Sequence, residues 1–172
     1  MDIYFTIEEK YLQAVEEYQY GTQPKTLKLL NEIIDTDAKY ARAHYLLGKV
    51  HYNNTGDYQS AGYHYQTCLE LEPSFPDAYV PYLRLLLFLN KHTLAQNVSS
   101  KALQVPGVQH SHVYEIMGQL AEKNNNWVKA ARLFREALLS ADDKEQVDDV
   151  QEHIERIELK IQTTRTYAYN LS

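Results

Sequence analysis

At 172 residues the chain is long enough for one domain that buries roughly 70% of its unfolded surface. A net charge of -6, spread over mixed acidic and basic residues, argues against nucleic acid as the main partner. The longest apolar run, Leu85-Leu86-Leu87-Phe88-Leu89, is far too short for membrane insertion, and the single Cys68 excludes an intramolecular disulfide. A lone cysteine fits a reducing compartment, and Met1-Asp2-Ile3-Tyr4-Phe5 lacks both a basic region and a small-residue cleavage site. A cytoplasmic protein without a signal peptide is therefore expected.

The chain repeats about every 34 to 35 residues. Ala14, Gly48, Leu83 and Gly118 align, and with them Thr26, Ala61, Ala95 and Ala130. Leu30, Tyr65, Ser99 and Phe134 form a third set, and Ile33, Cys68, Ala102 and Ala137 a fourth. A period of this length means stacked helical units that cannot bury their apolar faces alone. The units fall at about 7–40, 41–75, 76–110 and 111–142, each reading as helix, tight turn, helix.

The first unit keeps Ala14, Gly21, Leu30 and Ile33 but carries Thr26 at a small-residue position. In the second, Asn53-Asn54-Thr55-Gly56-Asp57 supplies the turn, with Asp57 as N-cap, and Pro73 stops the second helix. Gly48 and Ala61 are small because the two helices cross there. The third unit has Leu83 for the glycine and Ser99 for the aromatic, and apolar residues nearly all round its first helix. Pro81 there marks either a kink or a late helix start. The fourth shows Tyr114, Met117-Gly118, Trp127, Ala130, Phe134 and Ala137. Single-residue slips fall near Asn54 and around 105–108, where loops absorb them cheaply. Beyond them, Val147, Val150, Ile154, Ile157 and Ile161 stripe a helix over about 143–164, either a cap on the last unit or a dimer seam. A flexible tail, 165–172, ends the chain.

The run of aromatic, Leu-Gly, aromatic, Ala, aromatic, Ala and Pro resembles the tetratricopeptide repeat (TPR), and the resemblance spans residues 7 to 142. It implies an all-α, right-handed α-solenoid of about four helical hairpins plus a C-terminal capping helix, in which the first helices line a concave groove. On that mapping the groove carries Tyr11 and Tyr18 from the first unit, Tyr45, Lys49 and Tyr52 from the second, and Arg84, Leu87 and Phe88 from the third. The fourth contributes His112, Glu115, Ile116, Gln119, Glu122 and Lys123. Tyr11 with Tyr45, and Tyr18 with Tyr52, are equivalent and predict an aromatic floor with Lys49 and Arg84 above it, unless these rings serve only as core. The lysine-asparagine-arginine clamp that some family members use for a chaperone C-terminus has no counterpart at Tyr11, Val15, Leu46, Asp77 and Pro81.

No phosphate loop or nucleophile elbow is present, so no enzyme and no cofactor is expected. His110-Ser111-His112 has no third ligand in sight, so no metal site is expected either. His44 and His51 read as packing residues, and Cys68 as a buried hydrophobe. The expected function is a non-catalytic adaptor or scaffold gripping a peptide of a protein partner in a tyrosine-rich groove, as a monomer or weak homodimer. Two alternatives remain: a dedicated chaperone for a secreted or membrane-associated client, and a structural protein self-associating through its last helix.

Overall fold

The computed structural model describes residues 6–170; the N-terminal segment read above for a signal peptide, and the last two residues of the expected tail, lie outside them. Nine α-helices occupy the described residues, with no strand among them. They are α1 (Ile7–Tyr20), α2 (Gln23–Thr36), α3 (Ala41–Val50), α4 (Tyr58–Leu71), α5 (Tyr79–Phe88), α6 (His92–Ala102), α7 (His110–Lys123), α8 (Trp127–Leu139) and α9 (Lys144–Asn170). The chain forms two compact halves, Met1–Leu85 and Leu86–Ser172, so α5 runs from one into the other.

Local chemistry sets the helix ends. Thr6 caps α1 in a reciprocal box, its hydroxyl accepting from the Glu9 amide while the Glu9 carboxylate accepts from the Thr6 amide. Asp57 caps α4 as expected, its Oδ1 accepting from the Ser60 amide at 3.0 Å, and Asn126 caps α8 through the Lys129 amide. The turns before α4, α6 and α8 share one device, a left-handed residue just ahead of the cap: Gly56 (φ 68°), Asn90 (φ 55°) and Asn125 (φ 55°). Glycine and asparagine tolerate that conformation best. Pro81 falls in the first turn of α5, where its missing amide proton would have had no helical partner. The choice between kink and late start thus resolves to the late start, after a single 3-10 turn at Pro76–Ala78.

In the first half α1 packs on α2, α2 on α3 and α3 on α4. In the second, α6 packs on α7, α7 on α8 and α8 on α9. Every residue of the four aligned sets is buried. The reason for the glycines is sharper than a helix crossing. A Cβ on Gly48 would lie 2.7 Å from the Tyr65 ring, and one on Gly118 would lie 2.6 Å from the Phe134 ring. Tyr65 and Phe134 are among the largest fully buried side chains, so neither ring has room to retreat. In the third repeat Leu83 and Ser99 are also fully buried, and the Ser99 hydroxyl finds no hydrogen-bond partner.

Two sequence expectations shift. The extra residue near Asn54 does not loop out: His51–Thr55 continue α3 as one π-helical turn, which holds one residue more than an α turn. At the other end, α9 does not stop at 164, and the backbone of 165–170 continues the helix instead of starting a loose tail. Its stripe covers the last hairpin as the cap reading requires. Val150 and Ile157 are fully buried in one cluster with Ala130, Leu133, Phe134 and Ala137, and Ile154 and Ile161 pack at its edge.

Candidate partner-binding face

Helical spacing places the first-half candidates. Tyr11 and Tyr18 are seven apart on α1 and share a face, as Tyr45 and Lys49 do at four apart on α3. Tyr52 and Asn53 follow in the π turn. All four rings are half-buried, so each is part core and part surface. Tyr11 and Tyr18 pack at the edge of the cluster around Ala14, Leu30, Leu46 and Leu47, and Tyr45 packs on Cys68 and Phe75.

Lys49 is the centre of the arrangement. Its ammonium lies 5.2 Å from the Tyr18 ring centroid and 5.6 Å from that of Tyr45, a cation held between two π faces on different helices. Asn53 Nδ2 donates to Tyr18 Oη at 2.9 Å, so the π turn fixes the Tyr18 phenol. Because that oxygen already accepts, its own proton is left for another partner. Among the described residues no carboxylate lies within ion-pair distance of Lys49.

The rest of the row is matched internally. Tyr11 meets Tyr40 edge-on at 5.6 Å and lies under the Arg42 guanidinium, while Arg42 Nη1 and the Tyr40 hydroxyl both donate to Glu8, at 2.8 and 2.6 Å. Tyr45 tilts against Phe75 at 5.2 Å, and Tyr52 meets Tyr58 edge-on at 5.7 Å. Burial, then the charge of Asp77, pushes the Tyr45 phenol up to about 12, and burial raises Tyr11 as well, so both are neutral donors near pH 7. The structure thus brings Tyr18, Tyr45 and Lys49 together and seats Tyr11 and Tyr52 on other neighbours. Arg84 is exposed on α5; Leu87 and Phe88 fall in the second half, with Phe88 57% exposed.

In the second half, the groove positions of the fourth repeat are engaged by α9. Gln146 Nε2 meets His112 Nδ1 at 2.7 Å, and Gln146 Oε1 accepts from the Ser111 hydroxyl at 2.8 Å. Gln119 Nε2 contacts His153 at 3.1 Å, and the His153 ring stacks on Phe134 at 4.9 Å. Glu122 receives both Arg156, at 2.7 Å, and Lys160, at 2.6 Å. The Arg156 guanidinium, with Lys160 behind it, holds the Glu122 carboxyl down at about 2 against the opposing effect of burial. These partners lie one period apart, as His112 with Gln146, Gln119 with His153 and Glu122 with Arg156 do at 34 residues. That spacing was the available sequence signal, and reading α9 only as an apolar stripe missed it.

The histidines sit elsewhere in the first half. His44 Nε2 donates to the Ala38 carbonyl at 3.1 Å, and the His44 and His64 Nδ1 atoms face each other at 3.0 Å. The carbonyl can only accept, so His44 carries its proton on Nε2 and offers Nδ1 to the Nδ1–H of His64. His51 stacks on His64 at 5.5 Å, and burial, then the neighbouring His44 and His51, lowers His64 to about 4. Burial likewise pushes the Cys68 thiol up to about 12. Among the described residues no group of three or more His, Cys, Asp or Glu side chains is arranged to hold a metal ion, and no helix is long and apolar enough to cross a membrane.

No family model matches the sequence, and no match was found among curated proteins. Solved structures do match. The chain superposes on PilF of Pseudomonas aeruginosa with a TM-score of 0.76 at 16% identity, covering 91% of this chain and 69% of that one. MamA (41-end) of Desulfovibrio magneticus gives 0.69 at 16% identity, covering 91% and 96%. TTC0263, a thermophilic TPR protein of Thermus thermophilus, gives 0.63 at 13% identity, covering 90% and 82%. The fold is the tetratricopeptide-repeat solenoid that the repeat pattern implies.

Proposed function

We propose that the chain is a non-catalytic adaptor or scaffold that holds a peptide segment of a protein partner on the tyrosine-lined face of α1 and α3. The observation that carries this reading is the Tyr18–Lys49–Tyr45 cluster. There a cation and a phenol whose proton is left to donate lie among half-buried rings and have no acidic partner within the described chain. Rigid aromatics beside a cation are the residue types that anchor interfaces. Tyr11 on α1 and Tyr52 in the π turn are further candidates for the same face, Arg84 is a candidate on the first half, and Leu87 and Phe88 are candidates on the second half in their own right.

The experiment is a pull-down from native cell extract with wild type and a Tyr45→Phe/Tyr52→Phe/Lys49→Met variant, which keeps the rings that also serve as core. A protein retained by wild type and lost by the variant supports the reading. Equal retention by both moves the contact to another surface.

A further inference from the structure

Resting on that reading, we infer that the face selects a peptide with one acidic side chain at an internal position, whose carboxylate seats on Lys49 Nζ and takes the Tyr18 hydroxyl proton as its second hydrogen bond. Three observations lead there. Among the described residues the Lys49 charge has no acidic counterpart: Arg42 is answered by Glu8 at 2.8 Å, whereas Lys49 lies over the rings of Tyr18 and Tyr45. The cation–π contacts hold the ammonium in place without neutralising it, so an incoming carboxylate meets a pre-oriented donor. The Asn53–Tyr18 hydrogen bond occupies the phenol oxygen and turns its proton into a second donor.

Geometry also says which acid. Tyr11 lies under Arg42, seven residues before Lys49 on α3, and Tyr52 follows three residues after it, so a chain that uses both rings runs past Lys49 and the acid is a side chain, not a terminus. After burial, Asp77 raises the Tyr45 phenol, and at Tyr11 the charges of Glu8 and Asp77 act against that of Arg42, so acids outnumber bases towards that end. A second acid towards that end meets like charge. The face therefore favours one Asp or Glu flanked by apolar or uncharged residues over an acidic run.

The test is selection of random linear peptides on the intact chain, one library joined at both ends and one with a free C-terminus. Wild type and Lys49→Glu are panned in parallel after their Tm values are compared. The expected result is Asp or Glu at one internal position for wild type, with Lys or Arg there for Lys49→Glu and the flanking preferences retained. Replacing that acid by its amide in a selected peptide should weaken wild-type binding about tenfold, the scale of one charge-assisted hydrogen bond. An unchanged consensus with Lys49→Glu overturns the inference, as does selection that needs the free C-terminus. Wild-type peptides sharing no acidic position also overturn it and leave the peptide-binding reading standing. If wild type selects nothing beyond the bare support, both fall.

Discussion

The same repeat positions are used in opposite ways in the two halves of this chain. On α7 the polar side chains of the groove positions are answered from within the chain, one period later: Gln146 meets His112, His153 meets Gln119, and Arg156 with Lys160 closes on Glu122. On α1 and α3 the corresponding face carries rings, and its central cation has no acidic counterpart among the described residues. The comparison separates two demands on a repeat. The C-terminal unit has its polar side chains satisfied internally, whereas the face proposed to bind leaves one charge open.

Four measurements test this contrast between the halves. The largest effect is expected from deleting 143–172, which strips Val150 and Ile157 from the cluster they share with Phe134. Two fully buried aliphatic side chains are worth about 3–6 kcal/mol together, read as a drop in denaturation midpoint. A truncated chain as stable as the full one would leave α9 as an ornament and the comparison empty.

Next is acid. His64 titrates near 4 when folded against 6.5 when unfolded, so the folded state excludes its proton. Its contribution is complete above pH 6.5 and lost as pH falls from 6.5 towards 4. At about 1.4 kcal/mol per pH unit, and discounted for the part of the ring that stays hydrated, this amounts to about 2 kcal/mol. His64→Gln should flatten that part of the stability profile, and a profile that keeps its slope would acquit His64.

Smaller again is Glu122→Gln, which breaks the closure by Arg156 and Lys160 and should cost about 1–2 kcal/mol. The wild-type contribution is present above pH 4.5 and fades as pH falls towards 2, because the folded carboxyl is held down at about 2. The smallest stability change is expected for Lys49→Met, below about 1 kcal/mol, since it removes only cation–π contacts. Partner retention should nevertheless fall. A large stability loss with unchanged retention would invert the comparison, making Lys49 a structural residue.

The sequence carried most of the fold because the small and aromatic repeat positions are packing constraints. Gly48 can be nothing larger beside Tyr65, nor Gly118 beside Phe134, so the spacing of those residues is the spacing of the hairpins. Asp57 and Pro73 marked the ends of α4 by the same local logic. The candidate site was legible at the level of residue type and helix face, which is where Tyr18, Tyr45 and Lys49 came from. Their mutual geometry was not, because a half-buried tyrosine chooses among several ring neighbours that only the packed structure defines, such as Phe75 for Tyr45 and Tyr58 for Tyr52. The role of Asn53 was hidden for another reason: the extra residue beside it reads as turn, and only the helix path shows it as a widened turn.

That widened turn ties a length to a contact. A segment that has gained one residue usually discards it in a loop, where lineages can lose or extend it without consequence. Here the surplus stays inside the helix between Val50 and Gly56. Returning the segment to an ordinary α turn would change the helix path that brings Asn53 to Tyr18. Helix path and phenol contact are then a single character, and a chain lacking the extra residue would have to hold its phenol some other way.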